Sequence, residues 1–421
     1  MKTTFLSHLA LAALIAPALS QAPQPAFETG VMLQASSLLP AEVLHGVSYR
    51  VRDHVPTDGY MAHFTIDSDF GTFTAVGVPQ ALQRIREVEA IRTLVETSKS
   101  DLFAEGLKRS IEQPIDAVKH IVKNPVESVK QAPKTVGHFF GNIGSAIGRG
   151  VEKAKERSSS DEPEPTAGEV GRGIGETAKN VAGFDKAKLE TAKQLKVDPY
   201  SDNARLQEEM DKVTWAFFAG GLPLRVGAAA ASAGLAVAAT KMVGIPEDTY
   251  ALTRSELEFR DGRALAAMGI TDEDIRNFQL NPALSTTRRH LIVTSLEAMP
   301  KTKGRGLLVQ RANACISAEE ADFLITALSI LEERQRSGAA DYVSLEVLGR
   351  LPGGMNAKGE LEVPAPVDYV TWTQEVAGFA TRTDLGAAPK VLVHTGRLSP
   401  VANTGFLTAG WKEIAVPYQT R

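Results

Sequence analysis

Thr395-Gly396-Arg397-Leu398-Ser399 is the stretch whose residue types best suit a small ligand site. It joins a predicted strand, Lys390 to His394, to a predicted helix start at Ser399-Pro400. In α/β units ligands collect beyond the carboxyl ends of strands, and a helix start offers free N–H groups to an anion. Arg397 adds a fork of donors for a carboxylate or phosphate. Thr395, Gly396, Arg397 and Ser399 are therefore the candidate ligand-binding residues, although the glycine-rich fingerprint of a nucleotide site is missing. Ser399, His394 and Asp368 can also be written as nucleophile, base and orienting acid. No nucleophile-elbow sequence surrounds Ser399, which reads better as a helix cap, so no catalytic residue is assigned.

The other reactive side chains point to less. His45, His54 and His63 recur at nine-residue intervals, but they fall on different predicted strands or loops and form no H-x-H or H-x-x-x-H pair. Asp67, Asp69 and Gly71 lack the third acidic position and the distal glutamate of a calcium loop, and read as a hairpin turn. Cys315 is the single cysteine, which excludes an internal disulfide, and its neighbours Ala314 and Ile316 suit a core position. No metal site and no cofactor is indicated.

The elements that must position these residues begin after an N-terminal address. Lys2, the apolar run Phe5 to Ile15, Pro17 and the small-x-small step Ala18-Leu19-Ser20 have the form of a secretory signal peptide spanning residues 1–20. The run is shorter than the ~20 apolar residues a spanning helix needs. The formal net charge of −4 becomes slightly more negative once Lys2 is removed, which argues against a broad electrostatic grip on nucleic acid.

Residues 28–110 read as an antiparallel meander followed by a long helix. Val47 to Val51, Tyr60 to Ile66 and Thr72 to Val76 alternate as strands do, and Leu82, Ile85, Val88, Ile91 and Val95 then recur at helical spacing. Arg84, Arg86, Glu87 and Glu89 fall on the opposite side of that helix.

Residues 111–157 form a bent, amphipathic, glycine-rich tract. Pro114-Ile115-Asp116-Ala117-Val118-Lys119 is echoed by Pro125-Val126-Glu127-Ser128-Val129-Lys130, so short helices joined at bends are expected. Within it, Val136, Phe140, Ile143 and Ile147 make an apolar stripe beside Gly137, Gly141, Gly144 and Gly148. Each helix-interior glycine costs about 1 kcal/mol relative to alanine, so four of them suggest close approach of a backbone or membrane. These eight residues are the candidate partner or membrane contacts.

Residues 158–182 carry the Ser, Pro and acidic bias of a flexible linker. Residues 183–338 read as a helical domain around the Ala-rich run Val226 to Thr240, whose ~22 Å length is short of a ~30 Å hydrocarbon layer and favours a buried helix. Ser317 followed by Glu320 suggests a capping box. Residues 339–421 return to strands, with a turn expected from Pro352-Gly353-Gly354 to Lys358-Gly359, and end as a small α/β unit.

The expected fold is therefore α+β, multi-domain and mostly helical, and the expected function is that of a non-catalytic binding or structural protein. It would be exported to a periplasm or beyond, in a bacterial-type cell envelope, and meet a protein or a membrane surface through residues 111–157. Two other functions fit the same residues: an exported hydrolase or small-ligand binder using the C-terminal α/β unit, and a membrane-active effector inserting Val136 to Val151 and Trp215 to Val243.

Overall fold

A computed structural model describes residues 26–112, 183–223 and 244–418. The leader, the tract containing Val136, Gly137, Phe140, Gly141, Ile143, Gly144, Ile147 and Gly148, the linker and the Ala-rich run Val226 to Thr240 lie outside the described residues.

The N-terminal region contains β1 (Met32–Gln34), β2 (Tyr49–Val51), β3 (His54–Pro56), β4 (His63–Ser68) and β5 (Gly71–Val76). The expected meander is the antiparallel sheet β2-β4-β5, and β1 and β3 add a small ribbon beside it. Period-two alternation sends Val51, Phe64, Ile66 and Ala75 into one core. Gly77 then turns the chain at φ 86°, where a side chain would be strained, and Pro79 sits in the first turn of α1 (Val78–Thr97).

Helix α1 has more than one buried face. Leu82 and Ile85 pack on the meander, while Ile91 and Leu94 enter a second core. That core is shared with α2 (Asp101–Glu112), α3 (residues 183–195) and α4 (Ala204–Ala219). The polar side of α1 is covered as well: Glu87 is 1% exposed and Glu89 8%.

Next come α5 (Glu247–Ala251), α6 (Arg254–Ala267), α7 (Asp272–Leu280), α8 (Thr286–Glu297), α9 (Arg305–Asn313) and α10 (Ala318–Arg336). Thr253, Thr271, Ser285 and Ser317 cap four of them, each accepting the amide three residues on. Such a cap contributes about 1 kcal/mol. The reciprocal capping box is found at Thr253 and Glu256 rather than at Ser317, where the Glu320 carboxylate instead accepts from the Ile316 amide at 3.3 Å. Leu265, Phe278, Leu296, Leu308 and Leu328 form the centre of this helical layer.

The C-terminal region holds β6 (Tyr342–Leu348), β7 (Leu351–Asn356), β8 (Leu361–Ala365), β9 (Tyr369–Val370), α11 (Gln374–Ala380), β10 (Lys390–His394), β11 (Arg397–Leu398), α12 (Pro400–Thr408) and β12 (Trp411–Ala415). Its main sheet has the order β12-β10-β8-β7-β6, parallel from β12 to β8 and antiparallel from β8 to β6. Pro352-Gly353-Gly354, expected as a turn, lies inside β7. The reason is packing: a Cβ on Gly354 would come within 2.6 Å of the Tyr342 ring, so glycine lets the ring lie across the strand. The turn is made beyond it, at Lys358-Gly359.

Helix α10 covers one face of this sheet, where Ile330 meets Val391 and Val393. Arg334 grips the buried Glu362 of β8 through two bonds of 2.7 and 3.0 Å, and the Tyr342 hydroxyl donates to the same carboxylate at 2.5 Å. The other face carries Trp372, Phe406 and Trp411 with α11 and α12. The observed architecture is α+β, as the residue patterning implies. Among the described residues no helix is long and apolar enough to cross a membrane.

Candidate functional site

The strand-to-helix stretch at residues 395–399 forms as expected, and its polar groups are engaged within the chain. Thr395 donates its hydroxyl to the Val367 carbonyl at 2.9 Å. Gly396 fits against the 367–368 backbone so closely that a Cβ would fall 2.2 Å from the Asp368 carbonyl. Arg397 is exposed and stacks over the Tyr369 ring at 5.7 Å. Ser399 caps α12 by accepting from the Ala402 amide, and donates to Glu28 at 2.5 Å. The Glu28 carboxylate also accepts the Trp372 amide at 2.7 Å, so an N-terminal residue fastens this joint.

Ser399, His394 and Asp368 each have partners other than one another. His394 Nδ1 lies 2.8 Å from the Gly396 carbonyl. Asp368 accepts from the Ala62 amide at 2.8 Å, the Val78 amide at 3.1 Å and the Tyr418 hydroxyl. Burial pushes its carboxyl above the usual range, partly offset by those donors. Its structural effect is clear: one carboxylate closes the start of α1 onto the β4 edge and the C-terminal region.

The histidines at 45, 54 and 63 do not converge. His63 pairs with Asp58 at 3.0 Å, His54 lies on β3, and His45 bridges to Arg50. Among the described residues no group of three or more His, Cys, Asp or Glu is placed to hold a metal ion. Cys315 is buried beside Arg311, whose Nη1 lies 3.4 Å from the sulfur, and burial raises the thiol pKa.

A cavity of about 780 Å³ opens where the meander, α10 and the C-terminal region meet. The positioning is built from the backbone outward. The 57–61 turn of the meander runs beside β9, with the Asp368 and Tyr369 amides donating to the Tyr60 carbonyl and the Thr371 amide donating to the Gly59 carbonyl. This places Tyr60 and Met61 at the opening. The sheet supplies Val363, Ala365 and Leu392, α11 supplies Val376 and Phe379, and α10 supplies Phe323 and Thr326. The walls are mainly apolar. A cavity of this size falls in the ~300–1,000 Å³ range of small-molecule sites.

The cavity lining also carries charge: Asp58, Glu319, Glu320, Asp322 and Glu375 together with Arg311, Arg350 and Arg382. Glu320 takes Arg350 at 2.7 Å and Arg311 at 3.5 Å, and Arg382 turns to Asp384 at 2.6 Å. Burial, and after it the carboxylates of Asp58, Glu375 and Glu320, push the Tyr60 hydroxyl pKa up.

Asp322 marks the cavity's boundary with a buried polar seam. Arg288 bridges Asp322 (2.7 and 2.9 Å) and Asp202 (2.8 Å), and Arg84 bridges Asp202 (2.5 Å) and Glu87 (2.7 Å). Ser201 and Asn203 complete Glu87 at 2.6 and 2.9 Å. About a third of the Asp322 side chain reaches the cavity, yet it is enclosed elsewhere, and burial outweighs Arg288 in raising its carboxyl pKa. Beside the seam Asp198 accepts from Thr287 at 2.5 Å and from the Tyr200 amide at 2.8 Å. Burial pushes its carboxyl up to about 6.

Sequence patterning did not single out Tyr60, Glu319, Glu375 or Phe379. They come from three separate elements, the 57–61 turn, α10 and α11, and the seven-residue α11 has too few turns to show a clear apolar period.

The described residues thus have an α+β fold with a mainly apolar cavity between the meander, α10 and the C-terminal region. The chain matches no protein-family model, no curated protein and no solved structure.

Proposed function

We propose that this is a non-catalytic binding protein whose ligand is a small apolar or amphiphilic molecule held in the cavity beside the C-terminal sheet. The single observation carrying this reading is a cavity of about 780 Å³ walled by Val363, Leu392, Phe323, Val376 and Phe379. Empty apolar surface of that extent forgoes the contacts that close packing gives, so a ligand that fills it gains dispersion and apolar burial together. Export by the Met1–Ser20 leader to a periplasm or beyond belongs to the same proposal, as does a partner surface within residues 111–157.

N-phenyl-1-naphthylamine, a neutral apolar dye, tests the reading on the full chain. A saturable, one-site rise in fluorescence is expected, lost in Ala365→Phe, which puts a ring into the cavity from the end of β8. Absence of saturable binding, or binding unchanged by a folded Ala365→Phe variant, would overturn it.

A further inference from the structure

We infer that the ligand is an amphiphile with an extended apolar body and a cationic, ammonium-type head, an inference that rests on the cavity being a ligand site. The argument comes from tracking which charges at the opening are already matched. Arg311 and Arg350 are held by Glu320, and Arg382 by Asp384. Asp322 is held by Arg288, which approaches from behind the cavity wall. Asp58 shares His63 and its own turn amides at Tyr60 and Met61.

Two carboxylates remain. Glu319 and Glu375 line the cavity and have no hydrogen bond or ion pair among the described residues. They stand in the first turns of α10 and α11, where the helix dipole favours an acid. That local effect explains each acid separately. It does not explain why two helices from different layers each line one mainly apolar cavity with an unmatched carboxylate. Tyr60 stands at the same opening, within the electrostatic reach of Glu375, and its ring offers an ammonium group a π face.

The opposite choice of ligand is disfavoured by the same groups. A fatty carboxylate would place its head beside Glu319, Glu375 and Asp58, while the three arginines at the opening are already engaged. Exposed ion pairs are individually worth ~0.2–1 kcal/mol, so two or three of them amount to roughly a tenfold preference in affinity.

The experiment compares dodecyltrimethylammonium and dodecanoate, both below their micelle-forming concentrations, as competitors of N-phenyl-1-naphthylamine on the full chain. The ammonium probe is expected to displace the dye at roughly tenfold lower concentration, with the difference shrinking in high salt. The double variant Glu319→Gln, Glu375→Gln, at two exposed positions, should cut the preference to about twofold, with its fold checked by thermal melt. Equal displacement by both probes, or stronger displacement by dodecanoate, would overturn the head-group inference while the cavity remained a ligand site. A preference that survives the double variant would also overturn it. If the dye itself does not bind, the cavity reading falls too.

Discussion

The polar seam and the cavity opening lie side by side, share Asp322, and are built from the same kinds of residue, yet they are finished differently. In the seam, Glu87, Arg84, Asp202, Arg288 and Asp322 form a continuous chain in which each charge meets an opposite one at 2.9 Å or less. At the opening, cations are matched but Glu319 and Glu375 are not, and behind them the walls surround open volume. Buried charge is tolerated only when matched, and the seam's covered members Glu87, Arg84 and Arg288 meet that condition, with Asp202 and Asp322 at its partly exposed ends. Saturation, rather than residue composition, distinguishes the two.

Arg288→Ala tests that comparison with the largest expected effect. It leaves Asp202 short of a partner and Asp322 without its cation, and since both carboxylates are about a third exposed a loss at the lower end for buried pairs, about 3 kcal/mol, is expected in urea unfolding. A loss below about 1 kcal/mol would mean that the seam is wetted like the opening.

Asp198 gives a pH signature with an effect of up to about 3 kcal/mol. Its folded pKa, about 6, lies above that of a free aspartate, so the native state holds the proton more tightly than the unfolded chain. This contribution is fully present below about pH 4 and is lost as pH rises through 6. Asp198→Asn should raise stability at pH 7 and flatten the dependence between pH 7 and 4, measured as urea midpoints. An unchanged slope would show that the carboxyl is solvated.

Asp368→Asn is expected to cost about 2 kcal/mol, because the new amide group would face a backbone N–H of Ala62 or Val78. Thermal unfolding measures it, and a shift near zero would release the α1 start from dependence on this carboxylate. The smallest effect belongs to the opening. Glu319→Gln and Glu375→Gln should each change stability by no more than about 0.5 kcal/mol, in contrast with Arg288→Ala nearby. A larger loss by thermal melt would make these acids part of the joint.

What the sequence disclosed follows the range of the forces involved. Ser399-Pro400 and Ser317 mark helix starts because a cap acts within three residues, and the β4–β5 hairpin is readable from alternation interrupted by Asp69-Phe70-Gly71. Pro352-Gly353-Gly354 has the local chemistry of a turn, but the deciding contact is the Tyr342 ring ten or more residues away. The charged side of α1 resembles a solvated face, and only the partners Ser201, Asn203 and Asp202 reveal it as interior. The candidate residues at 395–399 were legible as a strand-to-helix joint, whereas Glu28, which fastens it, is 371 residues from Ser399. The cavity was hidden for the same reason, since its lining runs from Asp58 to Tyr418.

The clasp made by Asp368 sets an order of assembly. The amides it receives, at Ala62 and Val78, precede it by 306 and 290 residues. At synthesis rates of ~5–20 residues per second, the N-terminal sheet and its helix wait roughly 15–60 s for the carboxylate that completes them. Throughout that interval the early part of the chain is unfinished and open to chaperones, so truncation before residue 368 would leave the Ala62 and Val78 amides without their acceptor.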